Sequence, residues 1–174
     1  MTEEENKAEL FKFISPHFII KEEVWGKHLS GDNVRIDAVI MPKEPDKWKN
    51  KKQTAFGVEI KPEYDSYNEI SGMILQCIDY KYSRFHGKNG LIYLPILMYP
   101  NPLIKTDKAK KDYEWHMLRI LGKMNIGVIN KVDYKARKPL HFEFRMSDTP
   151  FWNSINGVKS SGENRNFNTK FGRQ

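Results

Sequence analysis

The chain has 174 residues, of which 39% are hydrophobic and 29% charged, which suits one globular domain and is short for two. Cys77 is the single cysteine, which excludes an internal disulfide and a cysteine-rich metal centre. The acidic N-terminus lacks a signal-peptide pattern, and the longest apolar run, Leu91 to Tyr99, is too short to span a bilayer, so we expect a cytoplasmic protein without a membrane partner.

The formal net charge of +7 is concentrated in the second half of the chain. Residues 1–98 carry 14 Lys and Arg against 15 Asp and Glu, whereas residues 99–174 carry 15 against 7. A basic half of this kind is typical of a surface that meets a polyanion, because cationic side chains displace the counterions of phosphate groups. A lysine-rich surface that serves only solubility is the alternative.

The predicted elements begin with a helix from Thr2 to Ser15-Pro16, since a threonine cap followed by three glutamates suits the positive end of a helix dipole. Alternating and β-branched residues then predict strands, and apolar residues at helical spacing predict two further helices. In chain order these are a strand Phe18 to Val24, a strand Val34 to Met41, a strand Thr54 to Ile60, a helix from Asp65 or Ser66 to about Phe85, a strand Leu91 to Tyr99, a helix Lys108 to Met124, and strands Ile126 to Val132 and Leu140 to Arg145.

This order of elements predicts an α/β fold, a three-layer-type sandwich with a mixed central β-sheet flanked by helices. Residues 1–150 are expected to form a single domain. Residues 151–174 are rich in Asn, Ser and Gly with scattered cations, which is typical of a polar, basic tail that is flexible or loosely docked.

Three charged residues stand in otherwise apolar strands. Asp37 lies in the middle of the second strand, and Glu59 and Lys61 end the third. Residues i and i+2 of a strand share a face, so Glu59 and Lys61 project together, and a hairpin of the two strands would bring Asp37 beside them. Two close carboxylates repel unless a cation lies between them, and Mg²⁺ or Mn²⁺ suits oxygen ligands. The pattern predicts a metal site held by Asp37 and Glu59, with the Ile60 carbonyl as a backbone ligand.

The spacing of these residues resembles the PD-(D/E)xK nuclease superfamily, which includes many restriction endonucleases, Holliday-junction resolvases and recombination exonucleases. Glu59, Ile60 and Lys61 match its E-x-K element, and Asp37 matches its first acidic position, although Ile36 stands where proline is usual. The resemblance extends from about residue 3 to residue 98 and implies a restriction-endonuclease-like core. It implies that Asp37, Glu59 and Lys61 are catalytic, with Mg²⁺ or Mn²⁺ as the cofactor. Lys61 would orient or deprotonate the attacking water, or stabilise negative charge on the phosphate.

Further positions fit branches of this superfamily that carry Q-x-x-x-Y on the next helix. Gln76 and Tyr80 have that spacing, which places them one turn apart on one helix face. The resemblance implies that they are part of the catalytic site, where they hold the lysine or contact the substrate. Those branches often have a metal-side glutamate on the first helix, and Glu4 is the preferred candidate because Glu4, Ala8 and Phe11 share a face that we expect to pack inward. The other acids that remain open are Glu3, Glu5, Glu9 and Glu23.

A structural role is the alternative for each of these residues. Asp37 could cap or pair at a strand edge, and Lys61 could be an exposed strand end. Tyr80 could be a core aromatic residue with a satisfied hydroxyl, and Gln76 a solvated helix position. Against this, an Asp and a Glu amid apolar strand residues are rarely buried without purpose.

Basic residues outside this constellation form the predicted nucleic-acid-binding surface, because cations at the start of a helix oppose its dipole and so indicate an external anion. The candidates are Lys108 and Lys111 at the start of the second main helix and Lys135, Arg137 and Lys138 in a basic loop. Solvated loops are the alternative. Trp48, in a lysine-rich loop between the two acidic strands, is a candidate wedge that contacts the substrate.

The chain is therefore predicted to be a Mg²⁺- or Mn²⁺-dependent deoxyribonuclease that hydrolyses phosphodiester bonds. Its small size favours a structure-selective or end-directed nuclease of phage, mobile-element or repair type, and leaves endonuclease and exonuclease action open. DNA is the expected partner, a homodimer is one assembly that the resemblance implies, and no glycine-rich loop indicates a nucleotide cofactor. The alternative is a catalytically inactive nucleic-acid-binding or protein-interaction module on the same fold.

Overall fold

A computed structural model gives the fold and describes residues 1–49, 54–63, 66–87, 90–103, 108–133, 139–165 and 167. The first half contains α1 (Glu3–Ile14), β1 (Phe18–His28), β2 (Asn33–Pro42), a short 3-10 helix (Pro45–Lys47), β3 (Phe56–Ile60), α2 (Tyr67–Lys81) and β4 (Ser83–Gly87). The second half contains β5 (Gly90–Ile92), β6 (Ile96–Tyr99), α3 (Lys108–Lys123), β7 (Ile126–Val132), β8 (His141–Met146), β9 (Thr149–Asn153), β10 (Gly157–Val158) and α4 (Ser160–Asn164).

The ten strands of the described residues lie in one mixed sheet in the order β10-β9-β8-β7-β6-β3-β2-β1-β4-β5. The neighbours β3, β6 and β7 are parallel, and the other pairs are antiparallel. The crossover from β3 to β6 contains α2, and the crossover from β6 to β7 contains α3. Because both crossovers advance along the sheet in the same direction, right-handed connections place both helices on one face. The predicted mixed α/β fold is confirmed, with a sheet larger than expected.

The two faces of the sheet bury separate apolar clusters. On one face, α1 packs its Leu10 and Ile14 against the sheet. On the opposite face, Cys77 of α2 and Leu118 of α3 pack into the second cluster. Helices therefore lie on both sides of the sheet, as the sequence predicts. None of the helices in the described residues combines the length and the apolar character that a membrane crossing needs.

The α1 boundaries are as predicted, because Thr2 and Glu5 form a capping box that satisfies the first backbone amides. Ser66 caps α2 in the same way. The end of α2 differs from the prediction, since residues 83–87 form β4 instead of a final helical turn. Gly26 of β1 pairs with Phe85 of β4, and this long-range pairing overrides the local helical pattern.

The predicted strand Leu91 to Tyr99 is two strands, β5 at the edge of the sheet and β6 in its centre. Pro95 lies in the break between them and has no amide hydrogen for a ladder bond. The Pro95 carbonyl nevertheless accepts a bond from Gly57 N–H at 2.9 Å. The break lets one apolar run serve both an edge and the centre of the sheet.

The described part of the expected C-terminal tail belongs to the folded body. The predicted boundary at residue 150 falls inside β9, and β10 and α4 follow it. Phe151, Trp152 and Phe167 are buried because they fill the apolar cluster under α1 together with Trp48 and Phe56. Trp48 contacts Phe167 at 5.8 Å between ring centroids, so it is a core residue and the predicted exposed wedge is wrong.

The alternation of side chains between the two sheet faces reverses near the midpoint of the β1–β2 hairpin. Ala38 packs into the cluster under α1, whereas Ile36, two residues earlier in the same strand, packs into the cluster under α2. Glu23 lies opposite Asp37 in the strand register and has a left-handed backbone, φ 51°. A non-glycine residue in that region costs about 1 kcal/mol or more. This irregularity lies directly beside the predicted catalytic aspartate.

Lys81, the last residue of α2, is a lysine in the apolar interior. It is 2% exposed, and its Nζ donates a 2.6 Å hydrogen bond to the Leu94 carbonyl. Burial lowers the pKa of Lys81 to about 8. The charged form of this side chain therefore destabilises the fold at neutral pH.

We expect Lys81→Met to remove a rise of stability with pH. The pKa of Lys81 in the fold, about 8, lies below its ordinary value of 10.5, so the unfolded chain holds this proton to higher pH. The free energy of unfolding of the parent should rise between those pH values, by about 3 kcal/mol at most relative to the variant. Urea unfolding across this range measures the difference. Lys123→Met, at an exposed lysine that ends α3, is the control and should follow the parent; parallel parent and Lys81→Met profiles would contradict the expectation.

Candidate functional site

Asp37 and Glu59 face each other on neighbouring strands. Ala38 of β2 pairs with Val58 of β3, and one step further along this antiparallel register Asp37 stands opposite Glu59. The Asp37 Oδ2 atom accepts a 2.6 Å hydrogen bond from the Ile60 backbone N–H. The aspartate therefore replaces a missing ladder bond where β2 and β3 diverge, and its carboxylate is held beside that of Glu59.

Glu59 is a buried carboxylate that is only half satisfied. Its side chain is 1% exposed, and its Oε1 atom lies 2.6 Å from Lys61 Nζ. The Oε2 atom has no hydrogen-bond partner among the described residues. Burial, and then the charge of Asp37, raise the pKa of Glu59 to about 7, although Lys61 and the Tyr80 hydroxyl act in the opposite direction. A cation beside both carboxylates would satisfy the free oxygen and relieve this repulsion.

Lys61 is the cationic member of the site. Burial acts to lower the pKa of its ammonium, but the hydrogen bond and charge of Glu59, with smaller contributions from Asp37 and Glu3, outweigh burial and raise it. The Lys61 backbone is fixed at both ends, since its N–H donates to Tyr99 at 2.9 Å and its carbonyl accepts from the Asn6 side chain at 2.8 Å. The side chain is 30% exposed and reaches solvent from this rigid base.

The first helix contacts the site through Asn6, and the role of Glu4 as a metal ligand remains a prediction. Glu4 and Ala8 are exposed, so the prediction that they face inward is wrong. The buried face of α1 contains Asn6, Leu10 and Ile14, at helical spacing, because the two aliphatic residues decide which side packs on the sheet.

Asn6 is thus a site residue that the sequence reasoning missed. Its position one turn before Leu10 on the same helix face is the signal that could have found it. Among the glutamates left open, Glu3 is the one whose charge acts on Lys61. Glu9 instead pairs with Lys131 at 2.6 Å. Glu23, opposite Asp37 in the strand register, has its carboxylate 3.4 Å from an exposed guanidinium of β2.

Gln76 and Tyr80 lie on the face of α2 that covers the site. Gln76 Nε2 donates to the Tyr80 hydroxyl oxygen at 2.8 Å, and that hydroxyl donates to the Arg35 backbone carbonyl at 2.8 Å. Burial, followed by the charge of Glu59, raises the pKa of Tyr80. The same two causes raise the pKa of the buried Cys77 thiol. The structure therefore places Tyr80 beside Glu59, where its hydroxyl ties α2 to β2, and Gln76 supports that hydroxyl.

The donor atoms of this site are oxygens. The amides of Gly57 and Lys61 point to β6, whereas the Ile60 amide points to Asp37, so the Ile60 carbonyl lies on the β2 side as well. The described residues contain no group of three or more His, Cys, Asp or Glu side chains that could hold a metal ion. The two carboxylates and this carbonyl are a donor set that suits Mg²⁺ or Mn²⁺.

The predicted nucleic-acid-binding residues fall outside what the structure describes. Lys108 and Lys111 lie in the first turn of α3, but their side chains are not among the described parts. Lys135, Arg137 and Lys138 lie outside the described residues altogether. Their role in binding remains a prediction from the sequence.

Comparison with known proteins adds no relative to this description. No protein-family model, no curated protein and no solved structure matches the chain.

We expect Glu59→Gln to stabilise the metal-free protein. At about pH 8 the neutral amide removes the repulsion from Asp37 and reduces the cost of burial, which should exceed the lost ion pair with Lys61 and raise the free energy of unfolding by about 1–2 kcal/mol. Because the pKa of Glu59 is raised from 4.5 to about 7, the parent should lose stability as the pH rises through this interval, and the variant should not. Chemical unfolding in the presence of a chelator measures both effects.

Glu143→Gln is the matched control for this measurement. Glu143 is a half-buried strand glutamate with Lys159 at 3.3 Å and Arg145 at 3.7 Å, so its charge is compensated. Its replacement should leave stability unchanged or lower it. If Glu59→Gln lowers the free energy of unfolding by as much as Glu143→Gln does, the charge of the Glu59 carboxylate is also compensated and the expectation is wrong.

Proposed function

We propose that the chain is a divalent-metal-dependent nuclease that hydrolyses phosphodiester bonds in DNA. The observation that carries the proposal is the Oε2 atom of Glu59, which is buried and has no hydrogen-bond partner among the described residues. Glu59 lies on the strand that pairs with the strand of Asp37, two residues before Lys61. Two carboxylates and one ammonium that converge on a single point form a combination suited to holding a metal ion and a phosphate together.

The proposal includes a restriction-endonuclease-like core made of α1, β1, β2, β3, α2 and β6. Its support is the resemblance of Asp37, Glu59 and Lys61, with Gln76 and Tyr80, to the PD-(D/E)xK pattern. The order of these elements along the chain agrees with that core. The strands β7 to β10 and the helices α3 and α4 would then be additions on the far side of β6.

Asp37, Glu59 and the Ile60 carbonyl would hold the metal ion. All three donors are hard oxygens, which suits Mg²⁺ or Mn²⁺ better than a thiophilic metal. A bound divalent ion supplies Lewis-acid stabilisation of phosphate charge and lowers the pKa of water. The hydrogen bond from the Ile60 N–H holds Asp37 in position before any ion arrives.

Lys61 would bind and stabilise the phosphate. It forms an ion pair with Glu59, which favours its charged form and therefore favours a role as a cation over a role as a base. A fixed ammonium beside a phosphodiester stabilises the negative charge that develops as the bond breaks. The bonds from Asn6 and to Tyr99 position the Lys61 backbone for this task.

DNA as the substrate is supported by the charge of the chain and by the motif. The net charge of +7 favours association with a polyanion. We propose a nuclease directed by DNA structure or by DNA ends, of phage, mobile-element or repair type.

Separate measurements of Mn²⁺ affinity and of DNA cleavage in the same variants test the proposal. By calorimetry the parent should bind Mn²⁺, and Asp37→Asn should lose at least about tenfold in affinity because one carboxylate ligand is gone. Lys61→Ala should keep or improve the affinity, since it removes a competing cation, yet lose at least about a hundredfold in DNA cleavage.

Lys131→Ala is the control, because Lys131 also pairs with a glutamate, Glu9, at 2.6 Å but lies outside the site. It should bind Mn²⁺ and cleave supercoiled, linear and branched DNA as the parent does. Equal cleavage by the parent and Lys61→Ala would point to a contaminant or to a different site. A parent that binds DNA but neither binds Mn²⁺ nor cleaves would be an inactive nucleic-acid-binding module.

A further inference from the structure

A second feature of the β1–β2 hairpin is an exposed aromatic and cationic pair. Trp25 of β1 is 54% exposed, and it stands opposite Arg35 of β2 in the strand register. The Arg35 guanidinium lies over the indole at 5.9 Å from the ring centroid, and its side chain is 50% exposed. Most of the Phe, Tyr and Trp side chains that the structure describes are buried. An indole kept in solvent with a guanidinium against it is a surface suited to a planar anionic ligand.

The backbone of this pair lies close to the candidate metal site. Arg35 is two residues before Asp37 in β2, which is about 7 Å along a strand. The Arg35 carbonyl accepts the hydrogen bond of Tyr80, the residue that packs beside Glu59. The backbone therefore connects the pair and the site. The side chains of Trp25 and Arg35 lie on the sheet face opposite to α2, because Ile36, which follows Arg35, packs on the α2 face.

The charge of the pair is available to a ligand. Glu23 approaches Arg35 through one guanidinium nitrogen at 3.4 Å, and its carboxylate is itself 59% exposed. An exposed ion pair of this kind contributes little and is readily exchanged for a stronger anionic partner. A phosphate could therefore engage the remaining guanidinium donors while a base lies on the indole.

We propose that Trp25 and Arg35 form a subsite for one unpaired nucleotide of a DNA strand, next to the phosphate that is cleaved. The inference deepens the proposed nuclease function and rests on it. The indole would stack on the base, and the guanidinium would bind the adjacent phosphate. A base inside a duplex offers no free face for such stacking, so the subsite selects single-stranded, frayed or branched DNA over continuous duplex.

The test measures affinity without cleavage. With Ca²⁺ in place of Mg²⁺, the 174-residue chain is titrated with a fluorescent single-stranded oligonucleotide and with a duplex of the same sequence. Trp25→Ala should weaken binding of the single strand about tenfold, and Trp25→Phe, which keeps a stacking ring, should weaken it about threefold or less. The affinity for the duplex should change little in either variant.

Trp115→Ala is the matched control. Trp115 is also exposed and also lies against an arginine, Arg119, at 4.4 Å, but on α3, which packs against β7 and β8. Its replacement should leave both affinities unchanged. Scanning 2-aminopurine along the single strand should reveal one position whose fluorescence is quenched by the parent and not by Trp25→Ala.

The outcomes separate the two proposals. A parent that cleaves DNA while Trp25→Ala binds like Trp115→Ala overturns the subsite and leaves the nuclease intact. A parent that binds neither oligonucleotide at low salt overturns both. If Trp25→Ala changes the oligomeric state and not the affinity for the single strand, the indole belongs to a contact between copies and the subsite is again overturned.

Discussion

The contact between Asp37 and Glu59 is the constraint on which the rest of the site depends. The two carboxylates repel, and one of them is almost completely buried. They remain together because the Ile60 amide binds one and the Lys61 ammonium binds the other. This arrangement leaves one carboxylate oxygen without a partner, so the fold tolerates an electrostatic cost that a bound cation would remove. Proteins retain such local instability chiefly at functional sites.

The surrounding elements explain how this cost is supported. β3 lies in the middle of the sheet between β2 and β6, and every residue of it is buried. The end of the strand and the residue that follows it are held from three sides, by hydrogen bonds with Asn6 of α1, Tyr99 of β6 and Asp37 of β2. A site built on a central strand is more rigid than one built on loops.

The β1–β2 hairpin extends beyond its pairing with β3, beside the site. The alternation of its side chains between the two sheet faces reverses at Glu23 and Asp37, and Glu23 has a left-handed backbone there. Beyond that point the hairpin pairs with β4 and packs on α2. Trp25 and Arg35 are exposed on this hairpin, and Arg35 is two residues before Asp37. The proposed nucleotide subsite and the proposed metal site would therefore lie on one hairpin.

The sequence by itself determined the local elements and the chemistry of the candidate site. A cap at Thr2, and a cap at Asp65 or Ser66, predicted the starts of α1 and α2, and the structure has Thr2 and Ser66 there. Strand periodicity predicted that Glu59 and Lys61 share a face, and helical spacing predicted the contact of Gln76 with Tyr80. These are relations between residues at most a few positions apart, so the periods of the backbone are sufficient to predict them.

Only the tertiary structure decided which surfaces meet. It placed Asn6 on the buried face of α1 and left Glu4 exposed, turned residues 83–87 into a strand, and buried Trp48 with the aromatic residues of the expected tail. Each of these outcomes depends on contacts between residues far apart in the chain. Burial of apolar area at such contacts outweighs local propensity, and a pattern within one segment holds no information about its distant partner.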